Sequence, residues 1–307
     1  METLYLTHPA CILHDMGPWH PERPARLEAV EQALEDAGVM ARLRRREAPA
    51  APREALERVH DSAYIDALRR QSPGQGLHPL DPDTLMNPHT YEAALRAAGA
   101  AVAAVDAVMA GEARAAFCAV RPPGHHARPA AAMGFCFFNN VAVAARHAMA
   151  RHGVQRLAIV DFDVHHGNGT QEAFEGEPGV LMCGFFQHPF YPHSGAGPAA
   201  ANMANLPVPA GTGGLAIRDL AVRHWLPRLQ AHRPELLLVS AGFNAHGEDD
   251  LGGLALAEDD YAWLTRQIVD VADRHAQGRV VSTLEGGYNL SALGRSALAH
   301  VRALAKL

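Results

Sequence analysis

Five short apolar runs, each too brief for a helix, constrain this chain more than any other feature. They are Ala115-Ala116-Phe117-Cys118-Ala119-Val120, Leu157-Ala158-Ile159-Val160, Gly179-Val180-Leu181-Met182-Cys183, Leu236-Leu237-Leu238-Val239-Ser240 and Val280-Val281-Ser282-Thr283-Leu284. Alanine-rich helical patterns lie around and between them, at about 23–37, 61–70, 90–110, 139–152, 216–231 and 258–276. Unbroken apolar strands alternating with helices predict an α/β fold of three layers, αβα, with a mostly parallel central sheet covered on both faces. In such sheets ligands collect beyond the carboxyl ends of the strands.

Four of the five runs lead directly into a polar loop. These loops are Arg121-Pro122-Pro123-Gly124-His125-His126, Asp161-Phe162-Asp163-Val164-His165-His166, Ala241-Gly242-Phe243-Asn244-Ala245-His246 and Glu285-Gly286-Gly287-Tyr288. One shared site built from four strand ends is the simplest interpretation. No repeat or long linker divides residues 1–307, which read as a single catalytic domain, with Gln71–Gly76 as a surface loop.

Charge and composition narrow the partners. With 27 Lys+Arg against 33 Asp+Glu the formal charge is −6, and no basic block offers the footprint that nucleic acid needs. No apolar run approaches the roughly 18 residues that span a bilayer, and the start Met1-Glu2-Thr3-Leu4-Tyr5 lacks a signal-peptide pattern. The expectation is a cytoplasmic protein without a nucleic-acid or membrane partner. Cys11, Cys118, Cys136 and Cys183 are scattered and form no C-x-x-C pair, which suits buried thiols rather than a thiolate metal site.

The chemistry-bearing segments point to a metal. After a buried strand, Asp161, Asp163 and His165 fall on one side of an extended chain. Oxygen and imidazole donors without thiolate suit a catalytic Zn²⁺ or Fe²⁺ that keeps a position open, although the Asp residues could equally cap the next helix. His125 and His126 follow a rigid Pro-Pro-Gly turn that aims side chains. A neutral imidazole there could act as a general base, with a carboxylate such as Asp161 orienting one ring. Tyr288, behind two glycines, could donate to a developing oxyanion. The stretches Gly134-Phe135-Cys136-Phe137-Phe138 and Pro189-Phe190-Tyr191-Pro192 could wall an apolar slot or simply be core.

Together these segments resemble the arginase–deacetylase superfamily, specifically histone deacetylase-like amidohydrolases of the class II, bacterial type. The pieces that carry the resemblance are His20-Pro21-Glu22-Arg23-Pro24-Ala25-Arg26-Leu27, Arg121–Ala127, Gly134-Phe135-Cys136-Phe137-Phe138-Asn139-Asn140, Asp161–Thr170, Ser240-Ala241-Gly242-Phe243 and Glu285-Gly286-Gly287-Tyr288, in family order. The resemblance implies a zinc-dependent hydrolase of acyl-lysine amides in peptides or proteins. It implies Asp163, His165 and position 244 as zinc ligands, His126 as general base and acid, and His125 as an electrostatic partner oriented by Asp161. Tyr288 would polarise the amide carbonyl, Gly134, Phe135 and Tyr191 would border the lysine tunnel, and Arg26 would line an inner acetate channel. Asp83 would be a rim carboxylate that grips substrate backbone, and Leu251 a gatekeeper at the tunnel mouth. A structural K⁺ held around Asp161, Asp163 and the His165 carbonyl is also implied.

Two positions depart from the family pattern. Asn244 stands where the family has a third ligating Asp, which removes one negative charge and predicts a weakened or inactivated enzyme. Gly184 stands where relatives usually carry a serine that helps hold K⁺, and Phe186 replaces a polar residue. Acetylpolyamine amidohydrolase and a catalytically silent acyl-lysine-binding protein are the alternative functions. An apolar Leu251, where a polyamine-selective branch uses glutamate, favours peptide substrates, because a second ammonium would be desolvated there without a partner. Glu248, Asp249 and Asp250 read as a solvated loop.

Overall fold

The computed structural model describes residues 2–307. Ten strands run in chain order: β1 (Thr3–Thr7), β2 (Leu43–Glu47), β3 (His78–Pro79), β4 (Leu85–Met86), β5 (Ala115–Cys118), β6 (Leu157–Asp161), β7 (Val180–Gln187), β8 (Met203–Val208), β9 (Leu236–Ala241) and β10 (Val280–Leu284). Eight form one sheet in the order β2-β1-β5-β10-β9-β6-β7-β8, while β3 and β4 form a small antiparallel pair. Every pairing in the main sheet is parallel, so "mostly parallel" becomes wholly parallel. Helices cover the sheet: Ala25–Asp36, Leu290–Ala305 and Glu258–His275 pack side by side, and Thr90–Met109 packs on Asn140–His152.

The central strands β5, β6, β9 and β10 are buried at every position, as an interior parallel strand with both faces covered requires. The crossover from β5 through helix Asn140–His152 to β6 skips two places in the sheet, which β9 and β10 fill later. That ordering sets the carboxyl ends of β5, β10, β9 and β6 next to one another. The site described below occupies this edge.

Three sheet strands carry no signal among the five apolar runs. The two edge strands are polar or broken: β2 reads Leu-Arg-Arg-Arg-Glu, and β8 contains Asn205 and Pro207. Charge and proline are what a sheet edge tolerates and an interior strand does not. The third, β1, is apolar only at Leu4-Tyr5-Leu6. Helix Leu290–Ala305 also lies beyond the expected set, although its Asn289 cap, accepting from Ala292 N–H at 3.0 Å, is a readable start. The helix expected at 216–231 is interrupted by a π-turn over Ala221–Trp225, just before Pro227, which has no N–H to give back to the preceding turn. Among the described residues no helix is long and apolar enough to cross a membrane.

Candidate active site

Beyond β5 the chain turns through Pro122-Pro123-Gly124 to His125 and His126. Glu285, the first residue after β10, pins this turn: Oε2 accepts Gly124 N–H at 2.6 Å and His125 N–H at 3.1 Å. Burial pushes the Glu285 carboxyl up to about 7, against the pull of the His125 charge and these two N–H donors.

The two imidazoles have different partners. His125 Nδ1 is 3.0 Å from Asp161 Oδ2 at the end of β6. Burial opposes a charge on this ring, yet the Asp161 and Asp163 carboxylates overcome it and raise His125 to about 10. His125 is therefore an imidazolium at neutral pH. His126 Nδ1 is 2.7 Å from Asn168 Oδ1, and the Asn168 amide nitrogen faces Met133 Sδ at 3.3 Å. The amide oxygen can only accept, so the His126 proton sits on Nδ1 and the Nε2 lone pair is left open. Burial, reinforced by the charge of His125 and the neighbouring His165 ring, holds His126 well below the ordinary imidazole value. It is neutral and can take a proton.

Asp163, His165 and Asn244 come together beyond β6 and β9. Asp163 Oδ1 lies 3.0 Å from His165 Nδ1 and 2.9 Å from Asn244 Nδ2, and Asn244 Nδ2 lies 3.2 Å from His165 Nδ1. The other Asp163 oxygen accepts Gly286 N–H at 2.9 Å. The His125 charge and the His165 contacts outweigh burial and hold the Asp163 carboxyl below its usual range. Gly242 is needed here, because a Cβ would collide with the Asp163 carboxylate.

Three atoms at these separations come near the roughly 3.3 Å edges of a tetrahedron with 2.0–2.1 Å zinc bonds. Asp163 and His165 fit zinc. Asn244 does not fit as it is oriented. Its Oδ1 accepts Val164 N–H at 3.1 Å, so its NH₂ points into the cluster. Flipping the amide would set NH₂ against the Val164 N–H and leave that buried donor unpaired. A carboxylate could serve Val164 with one oxygen and the cluster with the other, which an amide cannot do.

Aromatic rings and a glycine surround this cluster. Gly134 has φ +56°, and a Cβ there would collide with the His126 ring. Phe135 meets Tyr288 edge-on at 5.9 Å and His20 at 4.6 Å. Tyr191 stands edge-on to His126 at 5.2 Å and to His165 at 5.8 Å, while Phe190 stacks on His165 at 5.3 Å. Burial holds the Tyr288 phenol well above its ordinary value, so it stays protonated and can donate.

Arg26 lies beneath Tyr288, its guanidinium 4.9 Å from the ring centroid. Nε donates to Gly287 O at 2.6 Å, Nη1 pairs with Glu22 at 2.9 Å, and Nη2 donates to Glu285 O. Two of its five N–H donors thus hold the loop that carries Tyr288. Asp83 is half-buried near Phe135: its carbonyl meets His20 Nε2 at 3.1 Å, and the neighbouring Thr84 hydroxyl accepts Phe135 N–H. Burial and the neighbouring Asp81 raise the Asp83 carboxyl. Leu251 is half-buried. Phe186 packs on His166 at 4.7 Å, and both His166 nitrogens are engaged, by Ser194 and Gln171, so His166 is a structural residue.

Sequence reasoning missed the roles of Asn168, Glu285 and Asp249. Asn168 lies inside the Asp161–Thr170 segment, but nothing in spacing says that it reaches His126. Asp249 corrects an expectation, since it is buried rather than part of a solvated loop.

A second imidazole–carboxylate cluster joins two helices elsewhere. Asp106 Oδ1 lies 2.7 Å from both His147 Nε2 and His152 Nε2. Metal on His147 Nε2 would force a proton onto its buried Nδ1, which has no partner, so the cluster reads as a hydrogen-bonded clip.

A parallel α/β sheet that gathers paired imidazoles, carboxylates and a phenol at four strand ends defines an amidohydrolase of the deacetylase class. The comparisons agree. The histone deacetylase domain matches residues 20–304. The chain is 39% identical to the histone deacetylase-like amidohydrolase of Pseudomonas aeruginosa, over 94% of this chain and 82% of that protein. It is 35% identical to a probable deacetylase of Archaeoglobus fulgidus, over 94% and 82%, and 39% identical to the polyamine deacetylase HDAC10 of Homo sapiens, over 92% and 44%. The crystal structure of the HDA15 HD domain superposes with a TM-score of 0.93 at 34% identity, covering 100% of this chain and 89% of that one. The chain belongs to the histone deacetylase family.

Proposed function

We propose that the pocket takes the side chain of an acyl-lysine peptide or protein, and that the chain is a lysine deacylase weakened at its metal corner by Asn244. The observation that carries this reading is the neutral His126, held by Asn168, with its ring 5.8 Å from that of His165 and 5.2 Å from that of Tyr191. Zinc in this family supplies Lewis acidity and an activated water. The chain's own residues do the rest. Phe135 and Tyr191 sheath the apolar lysine stem, and His126 Nε2 takes a proton from the attacking water and returns one to the leaving amine. His125, fixed as a cation by Asp161, balances the negative charge that accumulates, and the Tyr288 hydroxyl donates to the amide oxygen. In this reading Asp83 grips substrate backbone at the rim, and Arg26 supports Tyr288 while offering its remaining N–H groups to a carboxylate product.

K⁺ is proposed beside Asp161, where strand register sets Gly184 opposite it without a hydroxyl. The polyamine reading draws on the human relative, but Leu251 offers a second ammonium no partner. The test uses a labelled acetyl-lysine peptide and acetylspermidine. The unmodified chain should bind the peptide with little turnover, and the Asn244→Asp protein should hydrolyse it. Failure of both proteins to bind or cleave either compound would refute the proposal.

A further inference from the structure

The loops that follow β9 and β10 meet at one buried carboxylate. Asp249 is 4% exposed, and its two oxygens accept three backbone N–H groups. Oδ1 takes Leu251 N–H at 3.0 Å. Oδ2 takes Tyr288 N–H at 2.6 Å and Asn289 N–H at 3.0 Å. A further bond runs alongside, from Asn289 Nδ2 to the Glu248 carbonyl at 2.9 Å.

This task suits a carboxylate and no neutral side chain. Both oxygens must accept at once, and an amide would turn its NH₂ against at least one of the three donors. Bonds from backbone N–H to an ionised carboxylate are also the stronger kind. The segment they hold needs an external anchor. Tyr288 follows Gly286 and Gly287, and Gly287 has φ +123°, so the main chain there has little stiffness of its own. Arg26 holds the Glu285 and Gly287 carbonyls on the near side of Tyr288, and Asp249 fixes the Tyr288 and Asn289 N–H groups from which the ring and the next turn project. The same carboxylate fixes the turn that carries Leu251.

We infer that Asp249 is a positioning residue: it ties the Tyr288 backbone to the Leu251 turn, so that the oxyanion donor and the proposed tunnel mouth form one rigid unit. The tether stands on the hydrogen bonds alone. Its consequence for turnover rests on the deacylase reading.

Two measurements test the two parts separately. Hydrogen exchange, read residue by residue on the otherwise unmodified chain, addresses the tether. Asp249→Ala, and Asp249→Asn in case alanine unfolds the loop, should speed exchange at Leu251, Tyr288 and Asn289 by about 10-fold or more, the equivalent of one charge-assisted bond. Strands β9 and β10 should stay protected. Unchanged exchange at those three amides overturns the tether.

A double-mutant cycle in the Asn244→Asp protein addresses positioning. Asp249→Asn should lower kcat by about 10-fold, but by less than about 2-fold once Tyr288→Phe has removed the phenol that it places. Equal losses in both backgrounds overturn the positioning role. No turnover in the Asn244→Asp parent overturns the deacylase reading and the catalytic half of this inference with it, while the exchange result still decides the tether.

Discussion

On the β5 side of the cleft, His125 and His126 each end on a partner suited to its task, a carboxylate for the ring that stays charged and an amide for the ring that stays neutral. On the β9 side, Asn244 must satisfy Val164 N–H with its one oxygen and therefore aims an NH₂ at Asp163 and His165. In the proposed reading the proton-handling half of the site is complete, and the ligand half is altered at one corner. A single atom type separates the two conditions. Val164 N–H occupies the one oxygen that Asn244 has, so the amide has no second oxygen to turn toward the cluster. The proposed defect is local to this one side chain, which Asn244→Asp would repair.

The comparison can be broken first on the intact half. In the Asn244→Asp protein, Tyr288→Phe should lower turnover by about two to three orders of magnitude, the cost of one oxyanion donor. Peptide affinity should change far less, because the bond strengthens in the transition state. Equal loss of binding and turnover would make Tyr288 a substrate-positioning residue. A smaller effect concerns the mouth. Leu251→Glu should shift kcat/KM toward acetylpolyamines by about 10-fold, by giving a buried ammonium a partner, and a polyamine preference with Leu251 in place would contradict the peptide assignment.

The mildest prediction uses histidines remote from both halves. His300 is buried among Phe117, Phe162 and Phe243, and Thr265, which donates to Tyr261 O, accepts from its Nδ1. Burial alone drives His300 down to about 3, and burial likewise drives His60 down to about 4 despite its backbone contacts. Unfolded, both titrate near 6.5. Between those values the unfolded chain binds protons that the fold refuses, so stability is full above about pH 6.5 and falls as pH drops toward 3 to 4. Denaturant midpoints measured from pH 7.5 to 4.5 should show that slope. Glu285, raised to about 7, contributes the opposite sign in this window, so the rings are isolated by repeating the series on His300→Gln: an unchanged slope would mean that the His300 ring is solvated.

Much of this architecture was legible because interior parallel strands are continuous apolar runs and their carboxyl ends carry the chemistry. Asp163, His165, His125, His126 and Tyr288 all lie three to six residues beyond such runs. The edge strands β2 and β8 were not legible, since an edge tolerates the charge and proline that hide a strand. Asn168 and Asp249 escaped for another reason: their roles consist of hydrogen bonds to residues about 40 positions away, and no local pattern encodes such a partner. Asn244 was legible as a substitution, but the direction of its amide depends on Val164 N–H, which only the folded loop brings close.

The central claim, that Asn244 alone holds the ligand half back, is tested most directly by zinc titration against a competing chelator, comparing the unmodified chain with Asn244→Asp. Asn244→Asp should bind one zinc more than about 100-fold tighter, beyond the range of an outer-sphere effect, and gain deacylase activity with it. Equal zinc affinity in the two proteins would contradict the account.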